Sequence, residues 1–328
     1  MNFIPSYIKL LKSGELQKRS EKAYKSLVSC KSCPRNCKVN RLGGDFGICS
    51  SGHLPVVSSY TPHFGEEPVI TGTRGAGNIF FGNCNLKCIF CQNFEISQNP
   101  KTENINEVSH KRLAEIMIEL QNKNCHNIGL VSPTHFSATI LKSIYMAAEM
   151  GLNLPFIYNT NGYDSVEMLK LYDGVVDIYL PDFKYGNNTY AKKYSLVDSY
   201  FEKTKEAIKE MFRQVGDELV YEGDVVVRGL VIRHLILPND LSETEMVFKF
   251  IAEELSPNVH ISLMSQYYPT NKSYKDILIN RTIRNSEYER ALRLLDKYGL
   301  KNGWTQEMES AENYKPYFNE NRINPFNN

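Results

Sequence analysis

Residues 81–91 read Phe81-Gly82-Asn83-Cys84-Asn85-Leu86-Lys87-Cys88-Ile89-Phe90-Cys91. Cys84, Cys88 and Cys91 stand at C-x3-C-x2-C spacing, directly after an apolar, strand-like run. Three thiolates on one short loop can hold three irons of a [4Fe–4S] cluster, because soft sulfur ligands suit iron–sulfur centres. No fourth cysteine follows nearby; the next is Cys125. Closed structural sites use four protein ligands, so one iron is left for a ligand that is not protein. An open position implies chemistry.

Outward from this loop the chain changes style. Beyond residue 78, short apolar runs at 78–81, 127–131, 155–158, 176–180, 225–237 and 259–264 read as strands. They are continuously apolar rather than alternating, as strands buried on both faces are. Helical periodicity is expected at 111–122, 138–149, 166–172, 200–214, 243–255 and 287–298. Ser199 with Glu202, Ser242 with Glu245, and Ser286 with Glu289 fit capping boxes at three helix starts. Six strands alternating with helices predict a parallel α/β sheet, open or curled into a partial barrel. Ligands of such sheets bind at the carboxyl ends of the strands. Those ends carry the three cysteines, then Ser132-Pro133-Thr134-His135, Asn159-Thr160-Asn161-Gly162, Asp182 with Lys184, Arg233, and Gln266 with Tyr267.

Upstream, residues 1–27 are polar and loosely helical. Residues 28–75 are rich in cysteine, glycine and proline and hold Cys30, Cys33, Cys37 and Cys49 at C-x2-C-x3-C-x11-C. Four such thiolates can close a tetrahedral site for structural zinc or carry an auxiliary iron–sulfur cluster. Seven of the eight cysteines fall within residues 30–91, which in a chain of 328 residues reads as metal binding rather than a disulfide ladder. The expected division is 1–75 for the helix and metal module, 76–270 for the barrel and 271–328 for a C-terminal helix and extension.

Basic and acidic residues number 38 and 37, a net charge of +1, which gives no support to nucleic acid as a partner. No apolar run reaches the roughly 18 residues of a membrane helix. The first residues show no export signal, so a cytoplasmic protein is expected.

The three-cysteine loop, with Phe90 before its last cysteine, resembles the signature of radical S-adenosylmethionine (SAM) enzymes over roughly residues 76–270. Within them the chain is similar to relatives of pyruvate formate-lyase activating enzyme that carry an N-terminal cysteine module. Cys33-Pro34-Arg35-Asn36-Cys37, Pro62-His63-Phe64-Gly65-Glu66-Glu67-Pro68 and Cys91-Gln92-Asn93-Phe94-Glu95-Ile96-Ser97 carry that likeness. The resemblance implies a partial (β/α)6 TIM-like barrel and a [4Fe–4S] cluster on Cys84, Cys88 and Cys91, whose open iron chelates SAM. It implies reductive cleavage of SAM to a 5′-deoxyadenosyl radical that abstracts hydrogen from a substrate. A reductant such as flavodoxin or ferredoxin supplies the electron. Phe90 would then pack near the adenine, Asn161 lies in the family's motif after the third strand, Lys184 with Asp182 would meet the SAM carboxylate, and Arg233 matches the strand-five arginine.

Three departures stand out. Ser132-Pro133-Thr134-His135 replaces the family's Gly-Gly-Glu-Pro, so backbone carbonyls, Ser132 or Thr134 would receive the SAM ammonium. Asn159 stands where activating enzymes often carry Asp, which puts a bound monovalent cation in doubt. Gln266-Tyr267 replaces a strand-six histidine near the adenine. The substrate is therefore left open among a small molecule, a peptide and a glycyl-radical enzyme activated as a partner protein. A noncatalytic iron–sulfur or electron-transfer protein is the alternative of a different class.

The default reading of Cys125 is a small buried hydrophobe. Arg35 and Arg41 read as solvated charges. His63 supports packing, and His135 is a packing residue or a proton donor on the rim. Tyr267 and Tyr268 line the pocket or pack, and Glu66 and Glu67 bond within the linker or face the site.

Overall fold

A computed structural model describes residues 3–308, 316–323 and 325–326. Nine strands form one sheet: β1 (Val57–His63), β2 (Ala76–Phe81), β3 (Ile128–Val131), β4 (Phe156–Thr160), β5 (Ile178–Pro181), β6 (Val220–Glu222), β7 (Val225–Leu235), β8 (His260–Met264) and β9 (Gly303–Thr305). Their order is β1-β2-β3-β4-β5-β7-β8-β9, with β6 paired to β7 alone. β2, β3, β4, β5, β7, β8 and β9 run parallel in chain order, and β1 lies antiparallel on β2. This is the partial barrel of the radical SAM type, carrying β9 beyond the six strands expected. The sheet runs across both expected boundaries, since β1 comes from the 1–75 segment and β9 from the 271–328 segment.

Strand parity explains the two cores. Successive side chains of a strand point to opposite faces. Tyr158, Tyr179, Leu230 and Ile232 point outward and join the large core beneath the helices. Ile157, Ile178, Leu180 and Val231 point inward, where Ile70 of the short helix Pro68–Thr71 meets them with Ala76 and Val226. Each such fully buried aliphatic side chain contributes about 1.5–3 kcal/mol. This apolar plug closes the lower barrel. Two residues further up the same faces stand Asn159, Asp182 and Arg233, which line a cavity. Parity thus converts one sequence register into an apolar floor below and a polar site above.

The helix starts differ from the capping-box expectation. Ser199 precedes the helix Tyr200–Val215 with φ +53° and makes no side-chain cap bond. A capping residue needs an extended backbone to hold its hydroxyl over the first turn, and a left-handed one turns it away. The next of these helices begins at Thr244 behind Glu243, while Ser242 Oγ instead accepts from Leu237 N at 2.8 Å. In the last, the helix begins at Asn285, and Glu287 accepts from the Arg284 N–H at 2.7 Å. The Ser286 and Glu289 pair is thus displaced by two residues. The C-terminal stretch returns to the β1–β2 edge, where Phe318 packs on Phe80 with ring centroids 5.5 Å apart and Arg322 pairs with the buried Glu103 at 2.7 Å.

Candidate functional site

The loop after β2 is clamped from behind. Lys87 N and Ile89 N donate to the carbonyls of Ser195 and Tyr194 at 3.2 and 2.9 Å. These belong to the end of the helix Asn188–Ser195, which the sequence reading did not anticipate. Asn83 takes φ +64°, and its amide donates to Asn104 Oδ1 at 2.8 Å, which turns the chain from strand into loop. Each sulfur has a polar neighbour: Ser195 Oγ at 2.9 Å from Cys88, Ser97 Oγ at 3.3 Å from Cys91, and Asn161 Nδ2 donating to Cys84 at 3.5 Å. Burial still pushes the Cys84 thiol up to about 11 and Cys88 up to about 12, so taking up a metal must displace protons.

All three cysteines line one cavity of about 560 Å³. Phe90, Ser132, Asn159, Asn161, Asp182, Lys184, Arg233 and Gln266 line it as well. Thr134 does not; it is buried with its hydroxyl 2.9 Å from Thr160 Oγ1. Ser132, at φ +57°, holds a backbone conformation costly for a residue with a Cβ, at the point where β3 meets the cavity. His135 also turns away: it is 1% exposed, with Nε2 2.8 Å from the Gly82 carbonyl, and burial pushes it down to about 3. It is a neutral packing residue, not a rim proton donor.

Asp182 and Lys184 form an ion pair at the end of β5. Burial alone would lower the lysine's pKa, but the Asp182 carboxylate more than offsets it and holds the ammonium charged. Tyr200, absent from the sequence reading, organises this corner. Its hydroxyl accepts from Lys184 N at 3.0 Å and lies 3.0 Å from the carbonyls of Asn161 and Asp182. Gly162 completes the turn at φ +80°, and a Cβ there would sit 2.3 Å from the Asp182 carbonyl oxygen. Phe90 is edge-on to Tyr185 and Tyr267, at 6.5 and 5.8 Å.

Arg233 is already engaged. Its guanidinium pairs with Glu66 and with Glu67, the latter through Nε at 2.8 Å and Nη2 at 2.5 Å. Both carboxylates face the cavity rather than the linker.

The second cysteine set lies against the first. Cys30 N donates to Val39 O at 3.0 Å, and Lys38 N returns the bond to Cys30 O at 3.0 Å. Arg35 donates to the Asn85 carbonyl at 3.0 Å, beside Cys84. Arg41, 1% exposed, donates to the carbonyls of Gly52 and His135 and lies 3.8 Å from the Cys30 sulfur. Neither arginine is the solvated charge expected. Burial opposes the Cys30 thiolate, but Arg41 carries its pKa below the usual value. Gly47 is a cradle for this set: a Cβ would meet Cys37 Sγ at 2.9 Å and Cys49 Sγ at 3.7 Å. Among the described residues, no group of His, Cys, Asp and Glu side chains is drawn in to single-ion spacing. Cys125 is buried and does not line the cavity.

The site and barrel define a class. The chain carries a radical SAM superfamily domain, whose model matches residues 78–234, and that family implies a [4Fe–4S] cluster and SAM. It is 34% identical to the uncharacterized protein MJ0674 of Methanocaldococcus jannaschii, over 91% of this chain and 83% of that one. A second protein of that organism, the uncharacterized protein MJ0808, is 26% identical over 77% of this chain and 74% of its own length. Among solved structures, methylornithine synthase (PylB) matches with a TM-score of 0.45 and 13% identity, over 91% of this chain and 80% of that one. No helix among the described residues is long and apolar enough to cross a membrane.

Proposed function

We infer that this chain is a hydrogen-abstracting radical SAM enzyme acting on a small molecule. The observation that carries this reading is the meeting of three thiols, the Asp182–Lys184 pair and Asn161 on one cavity. The donor set fits the cluster: three soft ligands face a space, with no fourth cysteine lining it. When bound, the cluster would supply the electron that cleaves SAM to a 5′-deoxyadenosyl radical. The chain's own part is to bind and orient. Lys184 would hold the SAM carboxylate, Ser132 and backbone carbonyls would receive its ammonium, and Phe90 and Gln266 would border the adenine. The cavity, of about 560 Å³ with Trp304 and Phe326 in its wall, is of a size that takes small ligands, which favours a small substrate over a glycyl-radical enzyme.

Anaerobic reconstitution with iron and sulfide, then dithionite and SAM, should release 5′-deoxyadenosine. No cleavage by a fully loaded protein, with no SAM-dependent change in its EPR spectrum, would sink the reading.

Cys30, Cys33, Cys37 and Cys49 would hold a thiophilic metal of their own, and the Gly47 cradle supports that fit. Metal analysis of a Cys30→Ala/Cys33→Ala chain is expected to show a specific deficit. About one zinc lost identifies a structural staple, and roughly four irons lost identifies a cluster. An unchanged metal content rejects the site.

A further inference from the structure

The charges around the cavity do not balance. Its charged side chains are Glu66, Glu67, Asp182 and Glu307 against Lys184 and Arg233. Glu307 is exposed at the rim, so three sheltered carboxylates face two cations. Lys184 is taken by Asp182, and the one guanidinium of Arg233 is shared by two glutamates. The glutamate side chains are only 9% and 6% exposed. His63 does not supply the missing charge, because burial lowers its pKa in spite of Glu66 nearby. A buried, uncompensated charge is costly.

The surplus lies at the floor, away from the thiols. Glu66 accepts from Asn78 Nδ2 at 2.6 Å, and Asn78 stands three residues before the end of β2. At the rise of a strand, that is about 10 Å below the point where the cysteine loop begins. A carboxylate offers about four acceptor positions. Asn78 and Arg233 leave part of that capacity facing the cavity. Ser262 supplies an independent sign of a missing ligand. It pairs with Arg233 in the β7–β8 register, lines the cavity and is 4% exposed. Among the described residues its hydroxyl has no hydrogen-bond partner.

The geometry points to a substrate with a cationic nitrogen, an ammonium or a guanidinium, seated on the Glu66 and Glu67 carboxylates beside Ser262. This assignment rests on the reading above, that the cavity holds the reaction. An anionic substrate group finds no free receptor at the floor, since Arg233 is neutralised by both glutamates. Ser262 Oγ accepts the last hydrogen bond from the nitrogen and fixes its position.

The test is equilibrium binding to the anaerobically reconstituted full chain, with SAM present, by calorimetry. The probes are n-butylammonium, n-butylguanidinium and butyrate. One or both cations are expected to bind in the millimolar range and butyrate not at all. A Glu67→Gln chain should bind the cation at least about tenfold more weakly, since a charge-assisted contact is lost, and Ser262→Ala should weaken it less. SAM affinity of Glu67→Gln should stay within about twofold. Should Glu67→Gln fail to fold, the probe comparison on the unaltered chain and Ser262→Ala still decides. Binding of butyrate in preference, or of neither cation, overturns the proposal. So does displacement of the probes by millimolar potassium or sodium, which would make the occupant an inorganic ion. A loss of SAM affinity in Glu67→Gln equal to the loss for the probe also overturns it, because the sulfonium would then be the cation. 5′-Deoxyadenosine release measured alongside separates the two readings. Cleavage without cation binding fails only this one, and cation binding without cleavage fails only the radical chemistry.

Discussion

Replacing Cys88 with alanine is expected to abolish 5′-deoxyadenosine release, a fall of at least about 1,000-fold, and to remove roughly four irons per chain. The size follows from the donor count. Three thiols line the cavity, and no other cysteine does. Cys88 sits in the middle of the loop, 8% exposed, with Ser195 Oγ 2.9 Å from its sulfur and the Gln98 amide on its carbonyl at 2.7 Å. The Gln98 bond to the Cys88 carbonyl and the bonds from Lys87 N and Ile89 N to the Ser195 and Tyr194 carbonyls do not depend on the thiol, so the loop should keep its course. Alanine removes one sulfur from a small buried site, which costs on the order of 1 kcal/mol of stability, far less than would unfold the chain. The loss is therefore of a ligand, not of the fold. Cys125→Ala is the control, since Cys125 is buried far along the chain from both cysteine sets. It should keep its iron and its SAM-dependent EPR change. A Cys88→Ala chain that kept both would show that the cluster lies elsewhere.

What the sequence shows of this molecule follows from how local each signal is. The parallel strands β2, β3, β4, β5, β7 and β8 are largely apolar runs, and each lies within a few residues of its expected place. β1 is different: Val-Ser-Ser-Tyr-Thr-Pro-His carries a proline and alternates weakly, as an edge strand can. β9 has three residues, too few for any period to be read. The helix Asn188–Ser195 is short and polar, yet it backs the cysteine loop. In the site, residues at strand ends were legible because barrel topology brings strand ends together. The pairing of Glu66 and Glu67 with Arg233 spans 167 and 166 positions and leaves no trace in local pattern. Arg41 was misread for the same reason: its partners Gly52 and His135 are carbonyls, and any residue type can supply a carbonyl.

Arg233→Met should lower stability by about 3–5 kcal/mol, the cost of breaking a buried ion pair by removing one partner, and lower Tm by roughly 10 °C. The arginine is 13% exposed and both of its glutamates are less so. Its loss leaves two adjacent carboxylates with, among the described residues, only the Asn78 amide donating to Glu66. The pH dependence should also reverse. In the natural chain burial would raise the Glu66 pKa, but Arg233 holds it below the usual carboxylate value. That contribution is fully present above about pH 4.5 and is lost as the pH falls through the depressed value. In Arg233→Met burial acts unopposed on Glu66, and its folded carboxyl titrates above its unfolded value. The folded state then holds more protons, so stability rises as the pH falls from about 8 to 5. A triple Glu66→Gln/Glu67→Gln/Arg233→Met chain, with none of these charges left to bury, should recover much of the loss and lose the slope that Glu66 contributes. Thermal melts across that range decide it. A Tm within about 2 °C of the natural chain, or an unchanged slope, would mean that Arg233 is not what holds the two carboxylates in the barrel.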